Sequence, residues 1–316
     1  MAALDENQCG NDQGSIVDPS HNLSGFSKGK IQPSRTNLVM GFYKPFIHQF
    51  VETIMPELPE VNTVQKLFHA EAVGHQIHQV EVWEDHILRN ISGDEFIRNL
   101  SGRPVTGTYR RGKYLFALLD RGQSVLLHLG MTGDLRYYHD PMERSRFERF
   151  HWLLSNGRYV GFDDPRKFGR ILLLDDIHAY INETGLGPDA LEIEESEWLA
   201  KMKGRTTPIK AWLLDQSMLA GVGNLYADEI CYQARVHPAS ITGAIPLKKQ
   251  KELYERMKSI LTLACERDAY YKVYPEDWFW KWREPGAKNP NGPGVAQSAK
   301  IGGRTTYFVE GWQKRY

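Results

Sequence analysis

The chain has 316 residues, 41% of them hydrophobic, and its 39 Lys and Arg residues balance 39 Asp and Glu residues. This length and composition exclude a disordered or fibrous protein and favour two folded domains. No apolar run approaches the roughly 18 residues of a membrane span, and no signal peptide pattern opens the chain. Three scattered cysteines exclude a disulfide framework, so we expect a cytoplasmic protein without membrane contact.

Charge is unevenly distributed along the chain. From Lys201 to the C-terminus, 19 Lys and Arg stand against 11 Asp and Glu, so the surplus of positive charge lies in the C-terminal part. A basic half of this kind could bind a polyanion such as nucleic acid.

Residues 1–54 are rich in Asn, Ser, Gly and Gln and show no sustained period, which predicts a disordered or untranslated extension. A helical pattern begins in the stretch "MPELPEVNTV", which starts at Met55. Its carboxylates Glu57 and Glu60 could be ordinary first-turn residues, because negative charge and proline are both favourable at a helix N-terminus. A functional role for the pair stays open on this evidence.

The next stretch alternates with the period of β-strands. Ser92 and Glu95 offer a capping box for a short helix. The predicted strands are "IHQVEVW", "KYLFALLD", "SVLLHLG", "RFHWLLS", "GRYVGF" and "RILLLDD". Turn signals such as "SNGR" separate them, so residues 55–178 are predicted to form an antiparallel β-sandwich with flanking helices.

A Gly/Pro-rich hinge is predicted at residues 179–190, and helices follow it. The segments near 194–203, 207–215, 224–236 and 246–267 have helical patterns, which predicts a helical domain over residues 191–268. Residues 269–316 hold an aromatic loop and a hairpin around "IGGRTT". The fold class predicted for the whole chain is α+β.

Two helical segments in "LLDQSMLAGVGNLYADEICYQARVHP" flank a turn that holds Gly221 and Gly223, with Asn224 opening the second helix. Such a turn directs backbone N–H groups outward, which suits a phosphate, and Lys210 could add a charge. The alternative is a glycine-rich helix hairpin that only packs.

Three further stretches lie in loops or at strand ends, where functional side chains are often displayed. They offer Lys113 in "RRGKYL", His128 and Met131 in "HLGMTGDL", and Arg166 and Phe168 in "DDPRKFGR". Taken singly, Lys113 is typical of a solvated strand, His128 of a satisfied polar residue, and Met131 and Phe168 of core residues. Together, a Met, an Arg and a Phe on exposed loops suit insertion into a base stack.

Six motifs in order give the chain a family resemblance from Pro56 to the C-terminus: "PELPEVNTV", "RRGKYL", "HLGMTGDL", "DDPRKFGR", "AGVGNLYADE" and "GGRTTYF". In order and approximate spacing they resemble the formamidopyrimidine-DNA glycosylase family. The related endonuclease VIII branch typically has "PEGPE" where this chain has "PELPE". The resemblance implies a sandwich, a helix-two-turn-helix domain and a hairpin finger. It also implies a monomeric, cytoplasmic or nucleoid-associated repair enzyme acting on double-stranded DNA.

The resemblance implies a catalytic role for the opening stretch. Pro56 would attack the sugar through a free N-terminal amine, Glu57 would handle the proton, and Glu60 would be a second, largely structural carboxylate. Oxidised purines such as formamidopyrimidine and 8-oxoguanine would leave, and β,δ-elimination would cut the strand. Because the nitrogen of Pro56 is an amide in a longer chain, we expect the working enzyme to begin at Pro56 without residues 1–55.

The resemblance also implies the DNA contacts. Lys113 and Arg304 would hold the phosphates beside the lesion, and Lys210 and Asn224 the backbone from the helical domain, with His128 as a weaker candidate. The gap left by the everted nucleotide would be filled by Met131, Arg166 and Phe168, with Arg166 facing the orphaned base.

Two departures from the family pattern affect these expectations. Val309 and Trp312 stand where the last two zinc-binding cysteines of many members would be, and after His237 only Cys265 could be a ligand. We therefore expect no zinc and no other cofactor, with the finger held by packing. The aromatic loop at 270–282 replaces the longer loop that covers the flipped base in many bacterial members. Its aromatics suit the core better than a lesion contact, which leaves the preferred purine open.

Three alternatives remain at this point. The chain could be a non-catalytic protein that binds damaged DNA, which only the status of Pro56 would distinguish. It could prefer oxidised pyrimidines, as the endonuclease VIII branch does. It could also be a structural nucleic-acid-binding module that uses the helical hairpin alone, although Glu57 and Lys113 argue against this.

Overall fold

Seven α-helices and ten strands make up residues 55–316, the part of the chain that this computed structural model describes. The extension predicted for residues 1–54 lies outside the described residues. Residues 55–316 fall within one compact unit. None of the described helices is long and apolar enough to cross a membrane.

Eight strands form two four-stranded sheets in which every neighbouring pair is antiparallel. They are β1 (Ile77–Val82), β2 (Val105–Arg111), β3 (Tyr114–Leu119), β4 (Ser124–His128), β5 (Asp134–Tyr138), β6 (Glu148–Leu154), β7 (Tyr159–Asp163) and β8 (Arg170–Leu174). The sheet orders are β1–β6–β7–β5 and β2–β3–β4–β8. Buried side chains from both sheets, such as Trp152 and Val125, share one core, so the predicted sandwich is confirmed. We call this the sandwich core.

The helices are α1 (Leu58–Ala72), α2 (Gly93–Leu100), α3 (Ile177–Thr184), α4 (Glu195–Met202), α5 (Ile209–Leu214), α6 (Asn224–Gln233) and α7 (Leu247–Glu266). The capping box predicted for α2 is present. Trp198, Trp212 and Tyr226 centre a second core, here called the helical core. Helix α1 belongs to both cores, because Leu58 packs in the helical core and Val61 in the sandwich core.

Three elements differ from the sequence prediction. Strands β2 and β5 were not predicted, because "VTGTYRR" and "DLRYY" are rich in polar residues and lack a clear apolar alternation. Helix α3 occupies the start of the predicted hinge. Its signals are Asp176, which accepts from the N–H groups of two first-turn residues, and Gly185 at φ 63°, where the helix ends.

The C-terminal hairpin pairs β9 (Ala296–Ile301) with β10 (Arg304–Val309). Gly302 and Gly303 make the turn, at φ 58° and 75°, values that favour glycine. Ala296 and Val309 pack with Tyr232 of α6, so the hairpin rests on the helices.

Candidate active site

The candidate site is built around the first turn of α1. Glu57 is the N-cap of this helix, and its backbone N–H donates to Glu60 Oε2 at 2.9 Å. Pro59 is tolerated here because the first N–H groups of a helix have no intrahelical partner. Glu60 is confirmed as a first-turn residue, whereas Glu57 is the cap that precedes the helix, and the fold also brings both carboxylates against α6.

The Glu57 carboxylate occupies the N–H groups at the start of α6. It accepts hydrogen bonds from the backbone N–H of Gly223 at 2.7 Å and of Leu225 at 2.8 Å. A Cβ on residue 223 would lie 2.3 Å from Glu57 Cδ, so glycine is required for this approach. The prediction that these N–H groups face a phosphate is wrong, because a carboxylate of the chain itself takes them.

Glu57 and Lys113 influence each other's protonation. Burial raises the pKa of the Glu57 carboxyl to about 7, although the Lys113 charge opposes the shift and the Glu60 charge adds to it. Burial lowers the pKa of Lys113, and the same two carboxylates oppose that shift. A carboxyl that titrates near neutral pH can both give and accept a proton.

Pro56, Lys113 and His128 line one small cavity beside this turn. The Gly130 N–H donates to His128 Nδ1 at 3.2 Å, which leaves the proton of the neutral ring on Nε2. Burial lowers the pKa of His128 to about 3, and the charges of Arg170 and Lys113 act in the same direction. His128 is therefore neutral at physiological pH, so it can donate a hydrogen bond but adds no positive charge.

The structure brings the predicted gap-filling residues Met131, Arg166 and Phe168 onto two adjoining loops. The Thr132 hydroxyl donates to Asp164 Oδ1 at 2.8 Å and accepts from the Arg166 backbone N–H at 3.3 Å, which ties the loops together. Phe168 is 49% exposed, and the Arg166 guanidinium lies 5.0 Å from its ring centroid. Phe168 is thus not a core residue, whereas Met131 is half-buried.

Lys210 is fully buried and does not reach the surface. Its Nζ donates to Asp228 Oδ1 at 2.6 Å and to the Thr305 carbonyl at 3.2 Å. Asp228 Oδ2 also accepts from Arg283 Nη2 at 3.0 Å and from the Tyr307 N–H at 3.3 Å. The predicted contact of Lys210 with a phosphate is wrong, because the ammonium is already paired inside the protein. Lys210, Asp228 and Arg283, here called the buried charge cluster, instead attach β10 to the helices.

Asn224 and Arg304 are the other two predicted backbone contacts. Asn224 is the first residue of α6 and is half-buried, and its Oδ1 has no hydrogen-bond partner among residues 55–316. Arg304 is exposed directly after the turn of the hairpin. Both stay predictions as DNA contacts.

Three tyrosines at this site were not predicted as site residues, although Tyr226 lies in the motif "AGVGNLYADE" and the other two lie in the aromatic loop at 270–282. Tyr226 and Tyr271 donate to Glu60 Oε1 at 3.0 and 2.7 Å, and the hydroxyls of Tyr226 and Tyr274 lie 2.8 Å apart. Tyr271 and Glu60 are 211 positions apart, so no local pattern reveals the contact. Both Tyr271 and Tyr274 are buried in the helical core, which confirms the core interpretation for these aromatics.

Apolar side chains fill the region where many members of the family have zinc-binding cysteines. Val309 is fully buried, and the Trp312 ring lies 5.9 Å from that of Tyr232 and 3.9 Å from the Arg235 guanidinium. Across residues 55–316, no three His, Cys, Asp or Glu side chains are grouped so that they could hold a metal ion. The residues present therefore do not fit a zinc site.

Comparisons with known proteins give consistent results. The family model for the formamidopyrimidine-DNA glycosylase N-terminal domain matches residues 55–171, and that for the H2TH domain of the same enzymes matches residues 185–272. The formamidopyrimidine-DNA glycosylase of Acidiphilium cryptum is 35% identical over 283 residues, which cover 82% of this chain and all of that protein. The enzyme of the same name from Xanthomonas oryzae pv. oryzae is 38% identical over 215 residues, 67% of this chain and 79% of that protein.

Solved structures agree with these relatives. The Lactococcus lactis formamidopyrimidine-DNA glycosylase, bound non-covalently to DNA that contains an AP site, superposes with a TM-score of 0.76 at 27% identity. The alignment covers 82% of this chain and 100% of that one. A second complex of the L. lactis protein, with DNA containing an abasic site, gives a TM-score of 0.75 at 25% identity and the same coverage.

Proposed function

The chain belongs to the formamidopyrimidine-DNA glycosylase family of DNA-repair enzymes, and from this premise we propose that it removes oxidised purines from double-stranded DNA and cleaves the resulting abasic strand. The observation that carries the proposal is the first turn of α1. There, Pro56 and Lys113 line one cavity, and the neighbouring Glu57 titrates near neutral pH.

In this proposal Pro56 is the nucleophile. A free N-terminal proline is a secondary amine, and its nitrogen attacks the anomeric carbon of the sugar while the bond to the base breaks. The bound amine then loses its proton, and the bond between the anomeric carbon and the ring oxygen breaks as that oxygen is protonated. The open-chain product is an iminium, which withdraws electrons and acidifies the neighbouring sugar proton. The phosphates on both sides then leave by successive β- and δ-eliminations. An amide nitrogen cannot act in this way, so the peptide bond between Met55 and Pro56 must be absent from the working enzyme.

Glu57 serves as the proton carrier. Protonation of the sugar ring oxygen requires an acid, and the later eliminations require a base. A carboxyl with a pKa of about 7 is populated in both forms at neutral pH. Its hydrogen bonds to the N–H groups of Gly223 and Leu225 hold it in place during both duties.

The phosphates beside the lesion are bound by Lys113 and Arg304, with Asn224 and the neutral His128 as hydrogen-bond donors. Lys113 and Arg304 carry the charges of this set, and Arg304 is exposed at the finger. Such contacts fix the position of the duplex without reading its sequence. Lys210 has a structural role instead, because it supports the hairpin finger through the Thr305 carbonyl of β10.

For lesion choice, the trio Met131, Arg166 and Phe168 supports purine repair, since an arginine facing the orphaned base can donate to the acceptors of a cytosine. We expect formamidopyrimidines and 8-oxoguanine opposite cytosine to be excised faster than oxidised pyrimidines. A side-by-side assay on duplexes that differ only in the lesion measures this. Equal or faster excision of thymine glycol would place the enzyme with the pyrimidine-preferring branch.

The decisive experiment compares one chain expressed from Met55, with its methionine removed, and one expressed from Met1. Each is incubated with lesion-containing DNA and borohydride, which traps an iminium as a stable protein–DNA adduct. Each reaction is run with and without a strong chelator, because we propose that no metal is needed. We expect trapping only by the chain that begins at Pro56.

Mass spectrometry of the N-terminus is the control for processing of the longer chain. Trapping by an intact chain that still begins at Met1 would exclude Pro56 and direct attention to a lysine such as Lys113. Absence of trapping by both chains would favour a non-catalytic protein that binds damaged DNA. Loss of trapping only when the chelator is present would show that a metal is required.

A further inference from the structure

Glu60 is held at both of its carboxylate oxygens. Oε2 accepts the Glu57 backbone N–H at 2.9 Å, whereas Oε1 accepts the phenol of Tyr271 at 2.7 Å and that of Tyr226 at 3.0 Å. Hydrogen bonds to a charged acceptor are stronger than those between neutral groups. The carboxylate therefore connects the tyrosines on one side to the backbone of the first turn of α1 on the other.

The tyrosine donors are themselves fixed. Tyr226 is fully buried and Tyr271 is buried, and both rings pack in the helical core. The Tyr274 hydroxyl lies 2.8 Å from that of Tyr226, and its ring lies 5.2 Å from that of Tyr271. Burial, together with the Glu60 charge, holds the pKa of Tyr271 well above its usual range, so its phenol stays protonated and remains a donor.

The N–H that Glu60 accepts belongs to the peptide group between Pro56 and Glu57. This group is planar and includes the Cα of Pro56, so the direction of the N–H also sets where that Cα lies. The proline nitrogen is bonded directly to this Cα. A constraint on Glu60 is therefore transmitted through three covalent bonds to the proposed nucleophile.

We propose that Tyr271 is a positioning residue for Pro56, acting through Glu60 and the peptide group that Glu60 binds. The inference rests on the proposed function of Pro56 as nucleophile. In this proposal the aromatic loop at 270–282 supports the reacting amine from the protein interior. It does not cover the everted base.

Tyr271→Phe tests the inference, because it removes one hydroxyl and keeps the buried ring. In the enzyme that begins at Pro56, we expect the single-turnover rate of borohydride trapping to fall by about tenfold, the effect of losing one charge-assisted hydrogen bond at the transition state. Affinity for a duplex with an abasic-site analogue should stay unchanged, because Tyr271 does not contact DNA in this proposal. The matched control is Tyr254→Phe, which loses a hydrogen bond of 3.1 Å to the Ile193 carbonyl beside the same helical core.

A double-mutant cycle with Glu60→Gln separates positioning from general stability. A glutamine offers one acceptor oxygen and an NH₂ group, so it cannot accept from Glu57 and the tyrosines at once. We expect Tyr271→Phe to have no further effect in the Glu60→Gln background. Equal fold losses in both backgrounds, or an unchanged rate in Tyr271→Phe alone, would overturn the inference.

Two further outcomes keep the result interpretable. If Tyr271→Phe melts at a lower temperature than the Tyr254→Phe control, Tyr226→Phe removes the second donor to the same oxygen and is expected to slow trapping in the same way. A normal trapping rate in folded Tyr226→Phe would then overturn the inference. Wild-type enzyme that forms no adduct would overturn the proposed function and this inference with it, whereas trapping by the wild type with no loss in either variant would overturn the inference alone.

Discussion

Two buried groups of charges in this protein use the same residue types but differ in how completely they are paired. In the buried charge cluster, Lys210 and Asp228 are joined at 2.6 Å, and Arg283 makes a second ion pair with Asp228 at 3.0 Å. At the first turn of α1, Glu57 is bound by backbone N–H groups, while Lys113 makes no hydrogen bond or close ion pair with other residues of 55–316. The cations of the cluster are tied to their counter-charge, whereas, within the described part of the chain, the ammonium of Lys113 keeps its hydrogen-bond donors free for a further partner.

The largest effect should come from breaking the paired cluster. Asp228→Ala leaves the buried Lys210 and the half-buried Arg283 without their counter-charge, so we expect the free energy of unfolding to fall by about 3–5 kcal/mol. Denaturant-induced unfolding measures this. The control is Glu255→Ala, which removes an exposed carboxylate from α7. A loss in Asp228→Ala no larger than in the control would show that the cluster does not stabilise the fold.

The buried Glu57 carboxyl at α1 should make the stability of the protein depend on pH. Folding raises the pKa of Glu57 from 4.5 to about 7, so the folded state binds this proton more tightly. The resulting stabilisation is fully present below pH 4.5 and is lost as the pH rises through 7. Because Glu57→Gln cannot titrate, its stability relative to the wild type should increase between pH 4.5 and 8, by at most about 3 kcal/mol.

Unfolding of both proteins in denaturant at several pH values gives this difference directly. Glu255→Gln is the matched control, since it makes the same chemical change at an exposed position. A stability difference between Glu57→Gln and wild type that does not vary with pH would contradict the raised pKa.

The smallest expected effect concerns DNA binding and compares the exposed Arg304 with the buried Lys210. Arg304→Ala should weaken binding to all DNA sequences and lower the salt slope of binding by about 0.9, because one phosphate contact is lost. Lys210→Met should leave that slope unchanged and lower stability instead, because Asp228 loses a partner. Titration of an abasic-site duplex at several salt concentrations provides the comparison. An equal decrease of the slope in both variants would show that Lys210 reaches the DNA.

Much of the fold was predictable from local patterns, and the exceptions have physical reasons. The apolar stripe of α7 and the capping box of α2 are short-range signals, and both elements were predicted to within a few residues. Strand β2 buries only Val105, and strand β5 buries the polar Asp134 beside Leu135 and Tyr138, so neither strand shows a clear period-two apolar pattern. Residues of the candidate site could be proposed from the sequence, but their hydrogen-bond partners could not.

Glu57 and Lys210 illustrate this limit. Glu57 was predicted to be a site residue, yet the N–H groups that hold it come from residues more than 160 positions away. Lys210 was expected to bind a phosphate because it lies one helix before the glycine turn and the family resemblance implied a DNA backbone contact there. Only the three-dimensional packing reveals that the Lys210 ammonium is paired with Asp228, one helix later, in the interior of the protein. Pairings across long stretches of chain depend on the whole fold and leave no local trace.

The membership of α1 in both cores has a consequence for dividing the chain. A cut in the segment 185–189 would leave Glu57 and Lys113 on one fragment and the N–H donors of Gly223 and Leu225 on the other. The helical fragment would lack Leu58 in its core, and the other fragment would keep Val61 in its core but expose Leu58. Neither fragment would contain a complete site, so chemistry at Pro56 would report the reassembly of two separate polypeptides.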